Sequence, residues 1–208
     1  MTRPDLLAGE ELLAPPRQKR SREKRDRLNA AALALFGEKG YEGASIEGIA
    51  ERAGLATGGF YQHYRSKRQL LLALMDEWLE RLASLDVRPP AQGSSRERLH
   101  ALLTRAFSAD MKYVPVYRAW QEAALADPEL ARKQQEIHAW TTTRVLAVFR
   151  WLQSMPGARR SVDLEGLARA MDAWFWSLLA QLPRMRKPEL KRWIDAATHL
   201  IYHALLTD

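Results

Sequence analysis

Apolar residues recur along this chain at the three- and four-residue spacing of one helix face, and nowhere with the strict alternation of a strand. The first run places Leu28, Ala32, Leu35 and Phe36 on one face and predicts a helix to about Phe36, closed by Gly37 and Gly40. Ser45 stands as an N-cap before the stripe Ile46, Ile49, Ala50 and Ala53, and Gly54 supplies the sharp turn that ends this second, short helix. A third segment, 57–64, carries Phe60 and Tyr64 as inward anchors. Three short helices, the last two joined by a glycine turn, make a helix-turn-helix module. Ser66 and Gln69 then read as the N-cap and N3 of a capping box, opening a long helix with the stripe Leu70, Leu71, Leu74, Trp78, Leu82 and Leu85. Pro89, Pro90 and Gly93 stop it.

Beyond this linker the pattern predicts helices over 96–110, 115–125, 128–152, 162–182 and 188–206. A loop at 156–161 precedes the last two, which Pro183 and the basic run Arg184, Arg186 and Lys187 separate. One of these helices has the stripe Leu164, Leu167, Met171, Trp174, Phe175 and Leu178, and the other Leu190, Ile194, Ala197, Ile201 and Leu205. No internal repeat is present. Residues 1–20 mix Pro4, Gly9, Pro15 and Pro16 with charges and lack periodicity, which predicts a flexible arm ending in basic residues. The organisation expected is all-α. After the arm at 1–20 comes a three-helix helix-turn-helix domain at 21–66, and a long helix joins it to a larger helical domain at 67–208.

With 208 residues, 47% of them hydrophobic, the chain can bury one sizeable core or divide into a small and a larger domain. A net charge of +7 favours an anionic partner, although a basic surface could equally meet phospholipid or aid solubility. Residues 17–27 concentrate this charge: Arg17, Lys19, Arg20, Arg22, Lys24, Arg25 and Arg27 outnumber Glu23 and Asp26. That cluster is either the solvated start of a helix or a set of phosphate contacts. The absence of cysteine excludes a disulfide framework, thiol catalysis and cysteine-ligated zinc, and suits a reducing, cytoplasmic setting. Asp5, Glu10 and Glu11 interrupt the first residues, so no signal peptide is expected, and the apolar stretch 174–182 is too short to cross a bilayer.

Phosphate-cradling glycine loop, nucleophile elbow and HExxH motif are all missing, which argues against an enzyme. Asp195, His199 and His203 recur every four residues and could share a helix face, but such a row serves a surface or an interface more simply than a metal. No metal or cofactor is expected.

Residues 24–70 resemble the DNA-binding domain of the TetR family of one-component regulators. The resemblance rests on Ala31-Ala32-Leu33, Leu35-Phe36, the Gly40-Tyr41 turn, Ile49-Ala50-Glu51-Arg52-Ala53-Gly54-Leu55, Phe60-Tyr61-Gln62-His63-Tyr64 and Ser66-Lys67, in order and without a gap. In a helix-turn-helix the second helix lies in the major groove with its N-terminal residues at base edges, here Thr57, Gly58 and Gly59. The resemblance implies base readout by Thr57 and Gln62, and phosphate contacts by Ser45, Tyr61, His63 and Lys67. Tyr61 or His63 could instead pack in the small core, and Lys67 could be a solvated charge. Three positions depart from the family pattern: Ala56 where serine is common, Gly48 where an acid is usual, and Asn29 where an aliphatic side chain is commoner. The pair Gly58-Gly59 is also unusual for a helix.

The family likeness further implies a homodimer held by the last two helices, through Leu167, Met171, Trp174, Phe175, Leu178, Ile194, Ala197, Ile201 and Leu205, although such stripes also serve a monomer core. It implies an effector cavity enclosed by the preceding helices. Aromatic residues crowd that region, so Phe107, Tyr113, Tyr117, Trp120, Trp140 and Trp174 are candidates to line a pocket for an apolar or aromatic small molecule. Arg144 is a possible anchor for an acidic group, as are Arg105 and Arg118. The expected function is a regulator, typically a repressor, released from double-stranded operator DNA by its effector. A constitutive sequence-specific DNA-binding protein that senses no ligand is the alternative.

Overall fold

The computed structural model describes residues 2–13, 18–86, 90, 92–108, 113–182 and 185–206. Arg17, Pro89, Asp110, Pro183 and Arg184 lie outside them. The described residues form helices α1 (Lys19–Gly43), α2 (Ile46–Arg52), α3 (Thr57–Tyr61), α4 (Lys67–Ser84), α5 (Ser95–Ser108), α6 (Val114–Ala124), α7 (Pro128–Gln153), α8 (Leu164–Gln181) and α9 (Lys187–Leu205). Among them the only β-type pairing is an isolated bridge between Ala158 and Leu206, so the fold is all-α, as the periodicity predicts.

Two compact units result. One comprises Arg3–Ala83 and Lys112–Gln134, the other Ser84–Met111 and Gln135–Asp208 with Met1–Thr2. The first unit is larger than the expected 21–66. Helix α1 lies along α6 as well as against α2, so the helix-turn-helix shares one body with α4, α6 and the first turns of α7. The buried stripe of α4, including Leu70, Leu71, Leu74, Met75 and Trp78, supplies much of this unit's core. Burying side chains of that size stabilises the fold by roughly 1.5–3 kcal/mol each before entropy is charged against it.

Helix α1 does not stop at Gly37. It continues helically past that residue, beside the ring of Pro115, and breaks at Gly40, where φ is 74° and ψ is −176°. This backbone region is essentially open only to glycine. The α4 cap is as expected in its main bond, with Ser66 Oγ accepting from the Gln69 amide at 3.1 Å. The reciprocal arm differs: Gln69 Oε1 accepts from the Arg65 amide at 2.8 Å, and its Nε2 donates to the Glu11 carbonyl.

Among the described residues of the segment expected to be a flexible arm, 3–11 are anchored to the first unit. Leu6 is fully buried, the ammonium of the buried Lys133 donates to its carbonyl at 2.9 Å, and Arg3 pairs with Asp76 on α4. One leucine among prolines and charges gives no periodicity, which is why the pattern conceals this anchorage. The second unit is built from α5, most of α7, α8 and α9 around Leu99, Phe149, Leu152, Ala168, Ile201 and Leu205. Helices α5 and α9 pack together in it, and the Arg159 amide, donating to the Leu205 carbonyl, ties the 154–163 loop to the end of α9.

Candidate nucleic-acid interface

Helix α2 is short and would be marginal alone. Its start is fixed by Ser45, whose Oγ accepts from the Gly48 amide at 3.0 Å, and its end by Gly54, held at φ 67° beside the guanidinium of Arg27. Ile49 and Ala50 face inward. Helix α3 has no side-chain cap at Ala56 and carries Gly58 and Gly59, which cost roughly 1 kcal/mol each in helix propensity. Phe60 is its only buried member, and the Tyr64 ring lies 5.8 Å away. Gly59 fits because a Cβ there would lie 3.3 Å from the Leu55 Cβ, whereas Gly58 faces open space.

This orientation sorts the candidate DNA residues. Gly58, Tyr61 and Gln62 are exposed and Thr57 half-exposed, so they share the outward side of α3 and its end; Tyr61 stands 50% exposed with its ring edge-on to Phe60. His63 is turned inward. Its Nε2 is buried without a partner, and burial, aided by Arg25 and Lys24, lowers its pKa, leaving a neutral imidazole at pH 7. Lys67 donates to the Tyr41 carbonyl at 2.7 Å and sits 4.2 Å above the Tyr41 ring, so its charge braces the end of α1. The Ser45 hydroxyl is engaged as a cap. Asn29 accepts the Tyr64 hydroxyl hydrogen bond at 2.6 Å, which gives a polar residue a reason to stand at that position.

Helix α1 exposes Lys19, Arg20, Arg22 and Arg27, the last with its guanidinium beside Gly54. Two further elements have no motif that announces them. Arg65, between α3 and α4, is more than half exposed and pairs with Glu11 at 2.9 Å. Glu122 on α6 accepts from the Tyr41 amide at 2.7 Å and the Glu42 amide at 3.0 Å, gripping α1 where Gly40 breaks it.

The effector candidates divide between the units. Tyr113, Tyr117 and Trp120 are buried in the first. There Tyr113 donates to Glu77 at 2.6 Å, Tyr117 lies 6.2 Å from the Trp78 ring, and the buried Nε1 of Trp120 has no partner. Burial and then Glu77 push the Tyr113 phenol well above its ordinary range. Phe107, Trp140, Arg144 and Trp174 belong to the second unit. Phe107 meets Trp174 and Phe175, and Arg144 lies over Trp140 while donating to the Leu85 carbonyl.

The residues expected at a subunit interface also separate. Leu178, Ile194, Ala197, Ile201 and Leu205 are buried within the chain, whereas Leu167, Met171, Trp174 and Phe175 are partly accessible. Leu200, on the outer face of α9, is 57% exposed. Helical periodicity marks an apolar face without telling which apolar residues meet the protomer's own core. Asp195 accepts from Lys191 and pairs with His100, and among the described residues no group of three or more His, Asp or Glu side chains is placed to hold a metal. Nor is any helix there long and apolar enough to cross a membrane.

The model of the bacterial regulatory proteins of the tetR family matches residues 28–74. Over 178 residues the chain is 29% identical to the HTH-type transcriptional repressor KstR of Rhodococcus jostii, covering 85% of this chain and 79% of that protein. It is 26% identical to the HTH-type transcriptional regulator BetI of Cronobacter sakazakii over 77% of this chain and 82% of that one. The fold matches the crystal structure of a tetR-family regulator of Mesorhizobium loti with a TM-score of 0.67 and 22% identity, over 91% of this chain and 100% of that one.

Proposed function

We propose that this chain, a DNA-binding transcription regulator belonging to the tetR family of bacterial regulatory proteins, is a dimeric repressor that a small apolar or aromatic effector releases from its operator. The observation that carries the reading is the sorting of α3 and its C-cap, which bury Phe60 while turning Thr57, Gly58, Tyr61 and Gln62 outward in a module whose first helix exposes Lys19, Arg20, Arg22 and Arg27. Thr57 and Gln62 would read base edges and Tyr61 a phosphate. Lys67 would touch phosphate with the donors its ammonium does not give to Tyr41. His63 supports the module from within. Repression has its support in the likeness to KstR, an HTH-type transcriptional repressor, and a cytoplasmic location would suit a DNA partner.

Release needs a connection between effector and reading helix. Helix α6 supplies one: it buries Tyr117 and Trp120, the latter with an unused indole N–H, and Glu122, two residues beyond Trp120, holds the end of α1. An effector lodged against α6 that shifts Glu122 would strain the Gly40 break and move the helix-turn-helix. The effector must bind the DNA-incompetent state better, and a tenfold population shift needs only about 1.4 kcal/mol of such preference.

Footprinting the purified protein on its own promoter region tests the reading. An inverted repeat should be protected, its half-sites about one helical turn apart or a near variant. Thr57→Ala should then lose about 1–3 kcal/mol on the preferred base and much less on its replacements. Uniform protection of all DNA would sink sequence-specific repression.

A further inference from the structure

We propose that Arg65 is a DNA-phosphate contact held in reserve by Glu11, so that the acidic end of the N-terminal segment gates the affinity of the helix-turn-helix for DNA. This inference rests on the DNA-binding reading and concerns a residue that the family motif does not mark.

Arg65 is well placed to reach a phosphate. Three positions separate it from Gln62, a chain reach of about 10 Å, and the major groove is about 12 Å wide between its phosphate walls. That reach is an upper limit for a segment that turns here, and with the length of its own side chain the Arg65 guanidinium can meet a phosphate of the wall when Gln62 stands at the bases. The Arg65 amide is fixed by Gln69 Oε1 at 2.8 Å, so the side chain projects from a braced point.

Glu11 arrives there on an anchored strap rather than a loose tail. The strap runs along α4: Arg3 pairs with Asp76, Leu6 is fully buried with Lys133 on its carbonyl, Glu10 meets Arg68 at 2.5 Å, and Gln69 Nε2 holds the Glu11 carbonyl at 3.0 Å. A carboxylate delivered this way has a high effective concentration at Arg65.

The two acidic residues differ in how easily they yield. Arg68 also pairs with Asp127 at 2.7 Å and Glu129 at 2.6 Å, and its side chain and that of Glu10 are only 28% and 15% exposed. That network stays shut. Arg65 and Glu11 are 55% and 83% exposed, and a solvated pair of this kind is weak enough to exchange partners. A DNA phosphate can displace Glu11, and until it does the carboxylate neutralises Arg65.

The test is a salt titration of DNA binding by the full-length protein and its Glu11→Gln, Arg65→Gln and doubly substituted forms. The probes are a labelled duplex of scrambled sequence and the protein's own promoter segment. Glu11→Gln should bind both more tightly, by up to about eightfold near 0.1 M salt, with a steeper salt dependence by about one released counterion. Arg65→Gln should weaken binding, and Glu11→Gln should add nothing in the Arg65→Gln background. Unchanged affinity in Glu11→Gln would overturn the gate, as would an equal gain without Arg65, because that gain would be a general charge effect. If the parent chain bound neither duplex at low salt, the DNA-binding reading would fall, and the gate with it.

Discussion

His63 and Gln62 are neighbours in sequence and opposites in environment, one turned into the module and one exposed beside the outward face of α3. The imidazole has a testable consequence in its titration. Burial lowers the His63 pKa in the folded chain, whereas in the unfolded chain it titrates near its ordinary value of about 6.5. At pH above that value neither state takes up a proton, and the residue is neutral to stability. As pH falls through about 6.5 the unfolded chain binds a proton that the folded chain refuses, so stability is lost over that window until the lower folded pKa is reached. Thermal melts of the parent chain from pH 8 to pH 5 should show this decline, and His63→Gln should flatten it. An identical slope in the variant would show that His63 is not the group responsible. The motif Phe60-Tyr61-Gln62-His63-Tyr64 is legible in the sequence, but the direction of His63 is not, because a five-residue helix followed by a bend has no periodicity to extend. Asn29 is the converse case: an apparent departure on α1 becomes intelligible once the Tyr64 hydroxyl lies 2.6 Å from its Oδ1.

Among the elements, helix boundaries are the most legible feature, since caps and prolines act locally. Ser45, the Ser66–Gln69 pair, Pro115, Pro128 and Pro188 all stand at or within a residue or two of the helix starts they predict. The grip of Glu122 on the Tyr41 and Glu42 amides is illegible for the opposite reason, being made between residues some eighty positions apart by one carboxylate on a helix otherwise rich in apolar residues. Gly40 and Glu122 form one device. A Cβ at Gly40 would lie 2.6 Å from Glu122 Oε2, and the backbone there has φ 74°. Gly40→Ala should therefore cost about 1–3 kcal/mol in stability from backbone strain, and displace the carboxylate from the Tyr41 and Glu42 amides. Glu122→Ala leaves the backbone relaxed and removes only the grip. If the grip carries the effector's signal, Glu122→Ala should retain operator binding to within a few-fold while reducing the drop in affinity that effector produces, as read by anisotropy on labelled operator. A full effector response in Glu122→Ala would place the connection elsewhere.

At the scale of the whole molecule, the apolar faces of α8 and α9 have two duties that the sequence merges. Leu178, Ile194, Ala197, Ile201 and Leu205 are committed to the protomer's interior, so they have little area left to offer a second subunit. The proposed dimer needs an interface that covers about 800 Å² on each partner. On these helices the accessible apolar material includes Leu200 on α9 and the partly covered Leu167, Met171, Trp174 and Phe175 on α8. Two substitutions separate the duties. Leu200→Arg should leave the melting temperature of the isolated protomer nearly unchanged, because an exposed side chain contributes little to the core, while shifting sedimentation at micromolar concentration from dimer to monomer. Ile194→Ala should do the reverse at low concentration, creating a cavity worth about 2–5 kcal/mol and lowering the melting temperature whatever the assembly state. DNA binding supplies the final readout. A monomer offers one reading helix, so Leu200→Arg should lose the inverted-repeat footprint while keeping weak, salt-sensitive binding to any duplex. A Leu200→Arg protein that still sediments as a dimer and still protects both half-sites would move the interface off this face of α9.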